Sequence, residues 1–264
     1  MHKYGQIVYR AGATIEVIKY IPKNCRGSTE RTGKRKKTSE EITEANMRQS
    51  ARKLTRKINA NFHPGDWHLT LTYKGDKPDI QEAKDKVAKF MKDMKKAYKK
   101  MGFEFKWVRV TEYMARRIHH HIVLNNVNDG KTTTADLARK FWKGNGNTYF
   151  VPLYDNGEYK KLAEYLVKET KRTREAGKED RKLIKQAHSC SRNLIIPQPE
   201  KTYPKVKGGW KQEPKPRPGY YIDPDSLYNG TDKMGYPYQR YVMIRINVEE
   251  NGWNSGVWPE DGGG

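Results

Sequence analysis

An α+β fold, with a central and largely antiparallel sheet flanked by helices, is what the 264-residue sequence predicts. Three observations carry that expectation. Trp67 to Tyr73 alternates strictly, with Trp67, Leu69, Leu71 and Tyr73 on one face and His68, Thr70 and Thr72 on the other, the period of a strand. Val87, Met91, Met94, Tyr98 and Met101 recur at three- and four-residue steps, the apolar stripe of a helix. Between Trp67 and Lys171 the elements run strand, helix, strand, strand, helix, strand, helix, and hairpins mixed with crossing helices imply an antiparallel sheet.

Each element has a local reason. Gln6 to Tyr20 holds two apolar runs, Ile7-Val8-Tyr9 and Ile15-Glu16-Val17-Ile18, around Gly12, which predicts a β-hairpin. The basic, Gly-containing stretch from Lys23 to Lys37 reads as a loop. Thr38, three residues before Glu41, gives a capping-box start to a helix from about Glu40 to Asn59. Met47, Leu54 and Ile58 would face inward, and Arg48, Arg52, Lys53, Arg56 and Lys57 mostly outward. His63 to Asp66 turns into the strand at Trp67. A helix from Ile80 to about Met101 follows; its eight lysines between Lys84 and Lys100 are ordinarily a solvated face. Strands are expected at Phe105 to Thr111 and His119 to Asn125, joined by a turn at Met114 to Arg117. A short helix at Thr134 to Trp142 leads through Gly144 to Asn147 into a strand at Thr148 to Val151. The helix from Glu158 to Lys171 carries Leu162, Tyr165 and Leu166 on one face. Eight of the thirteen prolines lie between Pro197 and Pro237, which predicts an extended segment with little regular structure before a final strand at Tyr238 to Val248. The chain therefore divides into residues 1–66, 67–196 and 197–264.

Composition narrows the class of function. No run of about 18 apolar residues exists to span a bilayer, and no signal pattern opens the chain, so export is not expected. Two cysteines, Cys25 and Cys190, form neither a disulfide framework nor a zinc spacing, which favours a reducing interior. With 53 Lys and Arg against 31 Asp and Glu, the net charge is +22, so a polyanion is the expected partner: nucleic acid first, an anionic membrane surface second.

His119, His120 and His121 lie inside one predicted strand. Side chains alternate, so His119 and His121 share a face and His120 points opposite. Two imidazoles so placed can chelate one metal ion, and Glu112, ending the preceding strand, is the obvious third donor. Two His and a carboxylate leave coordination positions for water or a phosphate oxygen. The plain alternative is three ordinary histidines on a half-exposed strand. Tyr165 shares a helix face with Lys168, three residues on. A tyrosinate attacks phosphorus well, and a nearby ammonium favours both the ionised phenol and the departing charge; the plain alternative is a core tyrosine with a snorkelling lysine.

In order, the strand Trp67-His68-Leu69-Thr70-Leu71-Thr72-Tyr73, the strand Arg117-Ile118-His119-His120-His121-Ile122-Val123-Leu124 and the helix Leu162-Ala163-Glu164-Tyr165-Leu166-Val167-Lys168 resemble the three motifs of HUH-type rolling-circle replication initiators, most closely the phage and plasmid type with a single catalytic tyrosine. The resemblance covers about Trp67 to Lys171. It implies a ferredoxin- or RRM-like core, Tyr165 as nucleophile with Lys168 as helper, and Mg²⁺ or Mn²⁺ on His119, His121 and Glu112. It implies an enzyme that nicks and rejoins single-stranded origin DNA through a 5′-phosphotyrosine, working in the cytoplasm of a bacterial host. His120 replaces the hydrophobic residue usual between the two ligands. His68 lies near enough to approach the metal, with a structural role the preferred expectation. Arg35, Lys36, Lys37, Arg52 and Arg56 are the expected phosphate contacts. The sequence contains no phosphate-binding Gly-x-x-x-x-Gly-Lys-Ser/Thr loop, so a host helicase is an expected partner. The competing functions are a single-tyrosine transposase or relaxase, and a non-catalytic nucleic-acid-binding protein.

Overall fold

The structure is a computed structural model. It describes residues 2–29, 32–33, 38–113, 117–153, 156–176, 188–206 and 209–246. In chain order the elements are β1 (His2–Lys3), β2 (Gly5–Ala11), β3 (Thr14–Tyr20), α1 (Ser39–Asn59), β4 (Trp67–Thr72), α2 (Ile80–Lys100), β5 (Trp107–Glu112), β6 (His119–Leu124), α3 (Thr134–Trp142), β7 (Thr148–Pro152), α4 (Lys160–Ala176), β8 (His188–Cys190), β9 (Glu200–Thr202), β10 (Lys205–Val206), β11 (Tyr220–Ile222), β12 (Tyr228–Thr231) and β13 (Pro237–Arg245). The fold is α+β, as the sequence predicts.

The middle of the chain builds a five-stranded sheet in the order β7-β4-β6-β5-β8, antiparallel at every pairing. Strand alternation gives this sheet two apolar faces. Leu69, Leu71, Ile122 and Leu124 pack with Val87, Phe90, Met94 and Tyr98 of α2 and Leu137 and Trp142 of α3. Val108, Val110 and Val123 pack instead with Leu54 and Ile58 of α1 and Leu162 and Leu166 of α4. Helices therefore cover both faces, and α1 lies against α4.

Helix starts follow their caps. Thr38 and Glu41 form a reciprocal capping box on α1, and Thr133 and Asp136 do the same on α3. Met47 lies only half-buried, and the buried face of α1 is Ala51, Leu54, Ile58 and Asn59.

The two ends of the chain meet in a second, six-stranded sheet, β11-β13-β3-β2-β9 with β12 also on β13. The predicted hairpin is present, with Ile7 opposite Ile18 and Val8 opposite Val17. The Pro-rich segment differs from the expectation of little regular structure: it contributes β9, β11 and β12, and β13 runs beside β3 with Tyr241 opposite Val17. Its prolines mostly fall between the strands, where a missing N–H removes no ladder bond. Segments 1–66 and 197–264 thus share one sheet. Gly12 fits where the hairpin tip meets α1: its φ is +58°, and a Cβ there would collide with the Asn59 carbonyl oxygen. Behind that turn, Asn59 donates to Thr14 Oγ1 and accepts from the Tyr159 N–H, tying the hairpin to α4.

Among the described residues no helix is long and apolar enough to cross a membrane. The predicted strand end at Val248 and the basic loop residues Arg31 and Lys34 to Lys37 lie outside the described residues.

Candidate metal and tyrosine site

The register of the five-stranded sheet assembles the site. Glu112 at the end of β5 pairs directly with His119 at the start of β6, and Val110 pairs with His121. Residues directly opposite in an antiparallel pair share a face, so Glu112, His119 and His121 all stand on the face covered by α4. One ligand atom from each lies within 4.8 Å of the others. The Glu112 Oε2 to His119 Nδ1 distance is 3.9 Å. Three such donors fit a single divalent ion, with positions left open for other ligands.

On the other side of β6, Thr70 of β4 pairs with His121. Thr70 Oγ1 lies 3.2 Å and His68 Nε2 3.3 Å from His121 Nδ1. The opposite ring nitrogen, Nε2, is 3.1 Å from the Tyr165 hydroxyl. A phenol donates readily, so Tyr165 donates to Nε2, and Nδ1–H donates to Thr70 or His68. A neutral imidazole has only one acceptor nitrogen, and the bond at its other nitrogen selects which. Here the lone pair is aimed at the tyrosine side of the site.

Burial keeps these rings neutral. It pushes His121 down to about 3, with the His68 and His119 rings adding to the shift. Burial alone pushes His68 down to about 4, and burial followed by Arg117 lowers His119. A neutral imidazole is the metal-binding form, so the lone pairs are available at neutral pH without competition from protons.

His120 faces the other way, as alternation requires. It is fully buried, with Tyr73 Oη 2.8 Å from Nε2 and Thr111 Oγ1 2.8 Å from Nδ1. The Tyr73 hydroxyl donates to the Ala83 carbonyl at 3.2 Å. Its proton being used there, it accepts from His120 Nε2–H, and Thr111 donates to Nδ1. Burial, then Arg109, His121 and His119, hold His120 well below the usual histidine range. Trp142 and Tyr73 pack edge-on against its ring.

Tyr165 is 39% exposed on α4, so solvent or a substrate reaches its hydroxyl. Its ring stands edge-on to His121, with centroids 5.2 Å apart. Lys168 is exposed one turn along the same helix face. Tyr159, the other tyrosine on this stretch, is fully buried.

The expected phosphate contacts divide. Arg35, Lys36 and Lys37 lie outside the described residues. Arg52 is half-buried and bonds the Arg48 carbonyl at 3.2 Å. Arg56 is engaged internally: it pairs with Glu16 and stacks 3.5 Å from the Tyr9 ring centroid, while Arg240 approaches the same carboxylate at 3.5 Å. Sequence reasoning missed Thr70 as a partner of His121. The available signal was the Thr70 position on the face opposite Leu69 and Leu71.

Residues 66–173 match the family model for the replication-associated proteins of the ORF2 and gene 2 protein type. The match runs from the residue before β4 into α4 and contains every residue of the site. It supports a replication initiator. No curated protein and no solved structure matches the chain.

Proposed function

We propose that this protein is a rolling-circle replication initiator that nicks and rejoins single-stranded DNA with Tyr165 as nucleophile. The observation that carries the reading is the Tyr165 hydroxyl, 3.1 Å from His121 and beside the Glu112, His119 and His121 cluster, in a segment similar to replication-associated proteins.

A divalent ion, Mg²⁺ or Mn²⁺, held by Glu112, His119 and His121 supplies Lewis-acid polarisation of the scissile phosphodiester. Tyr165 Oη gives up its proton and forms a bond to phosphorus in line with the leaving group. The bond from phosphorus to the 3′ oxygen breaks, and that oxygen takes up a proton. Lys168, one turn from the nucleophile, lowers the cost of the negative charge passing through the site. The products are a 5′-phosphotyrosine on Tyr165 and a free 3′ hydroxyl that primes synthesis. The phosphodiester energy is kept in the tyrosyl link, so attack by a 3′ hydroxyl rejoins the strand without ATP. Thr70 and His68 orient His121, the role outer-shell hydrogen bonds play around metal-ligating histidines. The net charge of +22 supports nucleic acid as the partner, and a separate host helicase opens the duplex.

The test is a covalent adduct. Incubation with a single-stranded DNA library and Mn²⁺, followed by denaturing electrophoresis and sequencing of the trapped DNA, should give a protein-linked 5′ end on Tyr165. An adduct mapped to another tyrosine, or none across the library, would remove the reading.

A further inference from the structure

The five-stranded sheet is covered unevenly on its site face. α4 lies over Val108, Val110 and Val123 of β5 and β6. Beyond β4 the sheet ends at β7, where Tyr149 is 54% and Val151 is 51% exposed. The register places Tyr149 opposite Thr70 and Val151 opposite His68. Thr70 and His68 are the two residues that touch His121 Nδ1, so Tyr149 and Val151 face the same side as the site. The residue between them, Phe150, points the other way: it packs edge-on against Trp67, with Arg139 over its ring.

This placement runs against the usual rule for an exposed edge. Strands half-covered by a core carry polar residues on the open face, and edge strands are commonly blunted by charge. β7 has no charged residue from Thr148 to Pro152. Asn147 Nδ2 donates to the Tyr149 hydroxyl at 3.3 Å, which steadies the ring beside the sheet. Gly146 permits the approach of this strand to β4, because a Cβ there would meet the Thr72 carbonyl oxygen.

We propose that Tyr149, with Val151 beside it, is a stacking shelf for an unpaired base of single-stranded DNA next to the phosphate that is cut. The inference rests on the nicking reading and adds where the strand lies. Tyr149 stands two strands from His121, roughly 10 Å at the ordinary spacing of a sheet, which is within reach of a neighbouring nucleotide. Charge selects the occupant: a chain of +22 attracts a polyanion, and every base has a face that an aromatic ring accepts.

The experiment uses the full chain carrying Tyr165→Phe, in EDTA, so that neither cleavage nor metal enters. The probe is an oligothymidylate with 5-iododeoxyuridine substitutions, followed by fluorescence anisotropy and by photocrosslinking with peptide mass spectrometry. Tyr149→Ala should weaken binding roughly 5- to 100-fold, the range for loss of one base–aromatic stack. Tyr149→Phe should bind like the parent, and the crosslinked peptide should contain Tyr149. Undiminished affinity in a folded Tyr149→Ala protein, or crosslinks that never reach Tyr149, would overturn the proposal. A change from dimer to monomer in sedimentation with affinity unchanged would also overturn it, making this edge an interface between copies. Crosslinking at Tyr149 in a wild-type protein that never nicks would count against the nuclease reading and still support the shelf.

Discussion

His120 and its neighbours His119 and His121 are consecutive on one strand yet sit in opposite chemical circumstances. His120 faces α2 and α3, is wholly buried, and has both ring nitrogens engaged by Tyr73 and Thr111. His119 is half-exposed beside Glu112, and His121 aims one nitrogen at a half-exposed tyrosine. The difference teaches that residue type assigns no role here. The face of the strand does, because one face meets a closed polar network and the other a site with unfilled coordination capacity. Tyrosine repeats the lesson: Tyr73 closes the network on one face and Tyr165 opens onto solvent on the other.

The strongest way to break this comparison is to remove a hydroxyl from each face. Tyr165→Phe should abolish the covalent DNA adduct while leaving oligonucleotide affinity nearly intact, checked on denaturing gels and by anisotropy. Tyr73→Phe should reduce stability and leave adduct formation in the folded protein. An adduct from the Tyr165 variant at the wild-type rate would reassign the nucleophile.

The histidines give the next largest effect. His119→Ala and His121→Ala should each lose Mn²⁺ binding by calorimetry and lose metal-dependent nicking. His120→Ala should keep Mn²⁺ binding and lower unfolding free energy by about 3 kcal/mol, since it leaves a cavity and removes the partner of Thr111. Loss of Mn²⁺ binding in His120→Ala alone would reverse the register.

A smaller effect follows from competition for one nitrogen. Tyr165 and a metal ion both claim the lone pair on His121 Nε2, so Tyr165→Phe should tighten Mn²⁺ binding. Relief of one hydrogen bond of about 1 kcal/mol corresponds to roughly a fivefold change in affinity.

The pH dependence sharpens the comparison further. His68, His120 and His121 have folded pKa values far below the ordinary 6.5, as do His63 and His119 to a lesser degree. Below about pH 6.5 the unfolded chain binds protons that the folded chain does not, so stability is full above that pH and falls on acidification through about 4. Asp66 and Glu158, each pushed up to about 6 by burial, oppose this because their folded forms take protons first. Five histidines against two carboxyls predict a net loss. His68→Gln should flatten the melting temperature between pH 6.5 and 4, measured by thermal scans across that range.

The smallest effect concerns surface charge. Lys161 and Lys168 share the helix stripe of Tyr165, whereas Lys92 and Lys96 lie on α2, behind the opposite face of the sheet. Neutralising either α4 lysine should reduce the log–log salt slope of single-strand binding by about 0.7. Neutralising the α2 pair should leave the slope unchanged. An equal change from both would mean that DNA wraps the back of the sheet.

Much of this was legible along the chain because it depends on local periods. Alternation at Trp67 to Tyr73 fixed which face held His68 and Thr70, and the same rule separated His120 from its neighbours. Capping pairs at Thr38 and Thr133 marked the helix starts. The Pro-rich end was less legible: short strands broken by prolines have no long period, and β13 finds its partner more than two hundred residues away in β3. Arg56 carried no local sign of its pairing with Glu16 either, since that contact depends on how α1 crosses the terminal sheet.

By itself, then, the sequence determined the elements of the central sheet, the charge that favours a polyanion, and the side chains able to bind a metal or attack phosphorus. Side-chain direction has a period of two in strands and 3.6 in helices, and both periods are properties of the local backbone. Tertiary structure decided the rest. It set Glu112 across from His119, brought Thr70 and His68 to one nitrogen of His121 and Tyr165 to the other, and left Tyr149 bare at the sheet edge. Those outcomes depend on strand order and on where a helix lies across a sheet. Both are set by the burial of apolar faces contributed by distant parts of the chain, so no local window of sequence contains them.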